Sequence, residues 1–439
     1  MNKRFGSVLS FAALIVGGLS AAGQKAAEPA ASAAAPTEIS MQISWAEDSG
    51  RGKAIREILD AFEAENSDVK VRLLGGNQTN QKILTMVLSG EAPEIIQANY
   101  QNVRGLAREG AFQAVGKDFS AESTVFHELP WRLGQAKGIQ YGIPWMGHSV
   151  QLVYNVDLFR AAGIAAPPKD WNELYAFAQK LTVDKNGDGK IDQWGIGLAG
   201  KQDNDILWMV NMFMHQGGAS LVKESGGKSV VALNSPEGKA ALDFYIKLIK
   251  ECAPPDSGNK NGADIMNDFR NQVVAMELQG PWGVTDIWKT GKPFAVGSAP
   301  VPSGPAGRFA DIGLEYLTIP DGIKGAKRDA AVRAVKFLAS KKGQEMLMKG
   351  EIAPDGKYYP FRVPIRKDMA DTEYFRANPI FTPFIEGFAY PSISSPVESW
   401  FQVEQEVYRS ELNKAVVGMT TVEAALSMVE KQGNEILSR

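Results

Sequence analysis

Apolar and polar positions follow two rhythms along this chain. From Ile39 to Trp45 every second residue is apolar, which predicts a half-buried strand. Ile55, Ile58, Leu59 and Phe62 then recur at i, i+3, i+4 and i+7, the stripe of an amphipathic helix. Residues 69–74 predict a second strand that runs into the polar loop 75–80. Ile83, Met86 and Val87 mark another helix, stopped by Gly90 and Pro93, and residues 94–98 a third strand. This βαβαβ order implies parallel strands with helical crossovers. Each strand ends at a polar or aromatic loop, at Trp45, at Asn77 and at Asn99-Tyr100. Ligands of open α/β sheets bind outside such carboxyl ends.

Residues 141–163 form the pivot of the pattern. Gly142-Ile143-Pro144 is a turn signal beside Trp145 and His148, residues 150–154 are rich in β-formers, and residues 158–162 read as a short helix closed by Gly163. The alternation of helix and strand then restarts. Asp170-Trp171-Asn172-Glu173 has the shape of a capping box. Strands are expected at 194–198, 230–233, 273–278, 294–298 and 316–319, with helices at 205–215 and 238–249. From Lys327 the pattern is almost wholly helical, and Ser395-Pro396-Val397-Glu398 combines an N-cap, a first-turn Pro and a capping Glu. Two α/β units and a helical tail predict two lobes, with 299–305 as a connector.

Composition narrows the class. The 439 residues are 44% hydrophobic and 22% charged, with a formal net charge of −3. No basic excess draws the chain to nucleic acid or to an anionic membrane. Residues 1–22 have the basic start, the short apolar run and the small residues of a secretory signal peptide, and the Ala/Pro-rich stretch that follows, to residue 37, reads as a disordered leader. Export to the periplasm or the extracellular space follows. No cysteine lies near the cleavage site to carry a lipid anchor, and with Cys252 alone the chain has no internal disulfide.

Catalytic chemistry finds little support. Three histidines are scattered without metal-ligand spacing, and neither a Gly-x-Ser-x-Gly elbow nor a phosphate loop is present. The stretch Asp184, Asn186, Asp188, Lys190, Asp192 matches the first positions of a calcium loop, but Gly195 stands where a bidentate acid belongs. Its readings are a structural calcium site or a tight Asx/Gly turn; no cofactor is otherwise required. Aromatic residues at element ends, among them Trp45, Tyr100, Trp145, Trp208, Trp282 and Trp400, suit a ligand with apolar faces and hydroxyl edges. A sugar is such a ligand.

The motifs Ser89-Gly90-Glu91-Ala92-Pro93-Glu94-Ile95, Gly142-Ile143-Pro144 with Tyr154-Asn155-Val156-Asp157, Pro168-Lys169-Asp170-Trp171-Asn172-Glu173-Leu174, and Ala275-Met276-Glu277 leading to Gly280-Pro281-Trp282 occur in one order. In that order and spacing the chain resembles the extracellular solute-binding proteins of ABC importers, in their carbohydrate-binding group. The resemblance implies a type II periplasmic-binding-protein fold, two α/β lobes joined by a hinge around a ligand cleft. One lobe would comprise 38–148 and 306–346, the other 152–298 and 353–439, with crossings at 147–152, 299–305 and 346–352. It implies ligand contacts from Trp45, Glu47, Asp48, Asn99, Tyr100, Trp145, Trp208, Trp282, Glu315, Tyr316, Arg362 and Trp400. The implied partners are a mono- or oligosaccharide and a membrane permease, with no nucleic acid and a monomeric state. The other readings are a secreted glycan-active enzyme and a binding protein for a polyamine or peptide.

Overall fold

The structure is a computed structural model that describes residues 35–369, 372–394, 397 and 399–438. The signal peptide and most of the leader, together with Ser395, Pro396 and Glu398 of the expected cap, lie outside the described residues.

Strands β1 (Thr37–Gln42), β2 (Val69–Leu74) and β3 (Ile95–Asn99) alternate with helices α1 (Gly50–Glu65), α2 (Asn80–Ser89) and α3 (Tyr100–Arg108). β1 pairs in parallel with both β2 and β3, as the βαβαβ pattern predicts. Each helix opens on a polar cap: the side chains of Ser49, Thr79 and Asn99 accept the backbone N–H groups of Gly52, Lys82 and Asn102. The α1 stripe of Ile55, Ile58, Leu59 and Phe62 is buried against the sheet.

β4 (Gly142–Ser149) and β5 (Gln151–Asn155) are separated only by Val150, yet they belong to different sheets. β5 is the middle of a three-stranded antiparallel sheet between β6 (Met276–Gln279) and β7 (Val296–Ala299). β4 lies antiparallel to β8 (Ala310–Thr318) in the six-stranded sheet, whose order is β9 (Pro391–Ser392), β8, β3, β1, β2. The expected turn at Pro144 is thus inside a strand. Proline offers no N–H to the ladder, and the register slips there: Glu315 faces Met146 while Tyr316 faces Pro144, which leaves Trp145 as the extra residue of a bulge.

Two large apolar cores result. The first collects Met41, Phe62, Trp145, Tyr316, Leu338 and Phe384. The second collects Leu152, Met209 and Phe213 of α4 (Asn204–Gly217), Tyr245 of α5 (Pro236–Cys252), Trp400 and Val429. Helix α6 (Pro281–Lys289) sends Val284 and Ile287 into the first core, and neighbouring residues of β5 feed both cores, Leu152 the second and Val153 the first. The C-terminal part is less helical than its sequence suggests. After α7 (Gly325–Ala339) and α8 (Lys341–Lys349) come short strands, single turns and irregular chain, and longer helix resumes only near Trp400. Pro354, Pro360, Pro364, Pro379, Pro383 and Pro391 account for the interruption, because each removes a backbone donor.

Candidate functional site

β8 supplies the floor of the site. Ala310, Ile312, Leu314 and Tyr316 are buried, whereas Asp311, Gly313 and Glu315 alternate with them and are only partly covered. Asp311 and Glu315 line a cavity of about 230 Å³ with Asn99 and Tyr100 from the β3–α3 junction, Asn204, Trp208 and Asn211 from α4, and Phe401, Glu404 and Gln405. A second cavity, also about 230 Å³, shares Asn99 and Glu315 and is lined by Gln42, Trp45, Asn77, Gln78, Gln97 and Arg362. A third, about 510 Å³, shares Tyr100 and Phe401 with the first. Residues of both cores therefore contribute to one run of connected cavities.

Amide and carboxylate groups dominate these walls, and most are held by specific bonds. Gln97 Oε1 accepts the backbone N–H of Ser44 at 3.1 Å, and its Nε2 donates to Glu315 Oε2 at 3.2 Å. Trp208 Nε1 donates to Asp205 Oδ1 at 2.9 Å, which fixes the indole at the cavity edge. Glu404 Oε1 accepts from Ser394 Oγ at 2.7 Å and from Trp400 Nε1 at 2.9 Å. Burial still pushes Glu404 up to about 7 against those bonds. Burial also raises Glu315, partly countered by the Arg362 guanidinium and by Gln97.

Arg362 is the electrostatic centre of the second cavity. It is 7% exposed, its Nε has no partner, and Nη1 donates to its own neighbour Phe361 O at 2.8 Å. Its guanidinium lies 5.6 Å from the Trp45 ring, 5.1 Å from Phe361 and 5.2 Å from Trp282. Burial, and then the nearby Arg51, lowers it to about 9, so it stays charged at neutral pH. Trp282 is held on its other side by Gln279 Oε1, which accepts its Nε1–H at 2.9 Å, and by the edge of His148 at 4.6 Å. Burial and the two arginines keep His148 well below its usual range, hence neutral.

Residues 46–345 match the model of the bacterial extracellular solute-binding protein family. The chain belongs to this family. Among curated relatives, a binding protein of Brucella abortus (strain 2308) is 23% identical over 394 residues, covering 88% of this chain and 90% of that protein. The multiple sugar-binding protein of Streptococcus mutans is 21% identical over 307 residues, 66% of this chain and 69% of its own length. Among solved structures, an ABC transporter solute-binding protein of Thermotoga lettingae with bound α-D-tagatose superposes with a TM-score of 0.76 at 22% identity, covering 91% of this chain and all of the other. The maltose-bound MalE3 of T. maritima gives 0.76 at 21% identity, with 90% and 98% covered. The fold is the two-lobed α/β fold of periplasmic binding proteins, as the resemblance implied.

In this solute-binding protein the expected contact residues divide into three groups. Asn99, Tyr100, Trp208, Glu315, Trp45 and Arg362 line the cavities. Trp282 packs behind Arg362 and His148 instead of lining them. Trp145, Tyr316 and Trp400 are fully buried in the cores and Glu47 and Asp48 are exposed, so none of these five faces the cavities described. For the three buried rings the reason is one residue of phase. Trp145 is turned inward by the bulge, and its carbonyl accepts Gln344 Nε2 at 2.7 Å. Tyr316 follows Glu315 on the opposite face of β8, with its hydroxyl donating to Pro130 O at 2.6 Å. Trp400 is buried while the next residue, Phe401, opens onto the cavity. Glu47 Oε1 is engaged by the Gly75 N–H at 3.1 Å.

Asp311, Asn204, Asn211, Gln97, Phe401 and Glu404 are cavity residues that sequence reasoning missed. The period-two run Ala310-Asp311-Ile312-Gly313-Leu314-Glu315 held a signal for Asp311, since it shares the face of Glu315. The calcium-like loop is closed by its own side chains. Asp184 accepts the N–H groups of Gly187 and Gly189, Asn186 that of Asp188, Asp188 that of Lys190, and Asp192 that of Lys185, a set of Asx turns. Among the described residues no three His, Cys, Asp or Glu side chains are grouped as metal ligands, there or elsewhere.

Proposed function

We propose that this protein is the extracytoplasmic binding component of an ABC importer, and that it captures a mono- or oligosaccharide between its lobes and presents it to a membrane permease without chemical change. The observation that carries the reading is the composition of the connected cavities. Asn99, Asn204, Asn211, Gln97, Asp311 and Glu315 provide paired donors and acceptors, beside the rings of Tyr100, Trp208 and Phe401. Hydroxyl groups meet the first set and the C–H face of a pyranose meets the second. The relatives named above as a multiple sugar-binding protein and as tagatose- and maltose-bound proteins support the same class.

Walls drawn from both cores give the closed form contacts that an open form lacks, so ligand shifts the protein toward closure. The hinge runs through 147–152, 299–305 and 346–352 in this reading, and no cofactor takes part. The signal-peptide character of residues 1–22 supports export. Titration of tryptophan fluorescence against a panel of sugars tests the proposal: at least one sugar shifts the emission, and its recovery unaltered from the complex excludes turnover. A panel without any binder overturns the sugar claim.

A further inference from the structure

We propose that the solute held in this cleft carries a protonated amine on a polyhydroxylated frame, an amino sugar being the simplest such ligand, with Asp311 as the carboxylate that pairs with it. The inference rests on the sugar-binding reading above and narrows it. Among the described residues three carboxylates, Asp311, Glu315 and Glu404, line the cavity between β8 and α4, and no Lys, Arg or His side chain does. Two of the three are compensated by the protein. Gln97 Nε2 donates to Glu315, which also feels the Arg362 charge, and Ser394 and Trp400 donate to Glu404. Asp311 has no such support: among the described residues nothing hydrogen-bonds to its carboxylate or ion-pairs with it. Burial, and then the charges of Asp205 and Glu404, push Asp311 up to about 7.

A carboxylate enclosed beside like charges is stabilised by an opposite charge that arrives with the ligand. A sugar hydroxyl donates a hydrogen bond to it but leaves the charge unbalanced. An ammonium group supplies both. Tyr100, Trp208 and Phe401 line the same cavity and attract a cation over their faces while stacking on an apolar one. A linear polyamine would use the carboxylates and leave the ring faces of Tyr100, Trp208 and Phe401 uncovered, so the amine is placed on a sugar frame.

Matched pairs test this on the full mature chain by calorimetric titration at pH 7.5: glucosamine against glucose, galactosamine against galactose, mannosamine against mannose, and the β-1,4-linked glucosamine dimer against cellobiose, each with its N-acetylated form. The expected result is that in at least one pair the amino member binds tenfold or more tightly than both its neutral and its N-acetylated counterparts. Asp311→Asn removes that preference, bringing the amino member of the pair to the level of its neutral and N-acetylated counterparts, and a cooperative melting transition shows that the variant is folded. Neutral members binding as tightly as amino members in every pair where binding occurs overturns the amine and leaves the sugar reading intact. A preference that survives in Asp311→Asn overturns the role of Asp311. No binding anywhere in the panel overturns the amine proposal and the sugar reading together.

Discussion

The guanidinium of Arg362 lies 5.2 Å from the ring centroid of Trp282, and the same group lies 5.6 Å from the ring of Trp45. Trp45 ends the strand-and-loop unit after β1, and Trp282 opens α6, so one buried cation ties two distant parts of the chain together. Each cation–π contact of this kind contributes about 0.5–2 kcal/mol. The flanking Glu351 acts in the same region, accepting from Arg51 at 3.1 Å and from Lys289 at 2.6 Å.

Arg362→Ala is therefore expected to destabilise the protein by about 2 kcal/mol, from lost cation–π contact and lost packing of the stem. Urea denaturation followed by far-ultraviolet dichroism measures this. An Arg362→Lys variant recovers only part of the loss, because a compact ammonium cannot lie flat on two rings. Full recovery by lysine would mean that charge alone matters.

Trp145 and Trp208 separate stability from binding. Trp145 is fully buried, and truncation to alanine leaves a core cavity that costs about 3–5 kcal/mol. Trp208 sits at a cavity edge on a bond to Asp205, and Trp208→Ala is expected to weaken ligand binding by about 2 kcal/mol with a small effect on melting. A Trp208→Ala variant that binds normally would remove the indole from the site.

Those two tryptophans also show how far the sequence could be read. The βαβαβ half and its parallel pairing followed from the period of apolar residues and the alternation of elements, because local backbone rules decide them. Asn99 and Tyr100 were legible since they stand at the carboxyl end of a strand, whereas Glu315 came only with the family resemblance. The misplacement of Trp145 came from a bulge, which depends on the partner strand and cannot be seen in one segment. Tyr316 and Trp400 were expected at the ligand but are buried one residue away from the cavity residues Glu315 and Phe401, the shift that turns a side chain to the other face of its element. Asp311 and Glu404 meet only after the chain closes on itself, so no local pattern joins them.

Asp311 gives a signed pH prediction. Its folded-state pKa stands near 7, above the ordinary 3.8, so the folded protein holds the proton more tightly than the unfolded chain does. Its contribution to stability is fully present below about pH 4 and is lost as pH rises through 7. Asp311→Asn, which is neutral throughout, is therefore expected to stabilise the ligand-free protein more at pH 8 than at pH 5. Paired urea titrations of the variant and its parent at the two pH values measure the difference. Equal effects at both would place Asp311 in a solvated setting.

The 184–192 loop is expected to be indifferent to metal. Its carboxylates already accept the loop's own N–H groups, and backbone hydrogen bonds hold Asp184 below the ordinary carboxylate range. Melting scans with excess EDTA and with added calcium should superimpose. A melting temperature that falls on chelation and recovers with calcium would assign the loop as a structural site.

In the proposed function, residues from both cores close on a sugar around Tyr100, Trp208 and Asp311. Fluorescence titration of the parent protein and of Trp208→Ala against the sugar panel tests it most directly. Saturable emission change with at least one sugar, weakened at least tenfold in Trp208→Ala, is the predicted result. Binding of a non-sugar solute with no response to any sugar would contradict it.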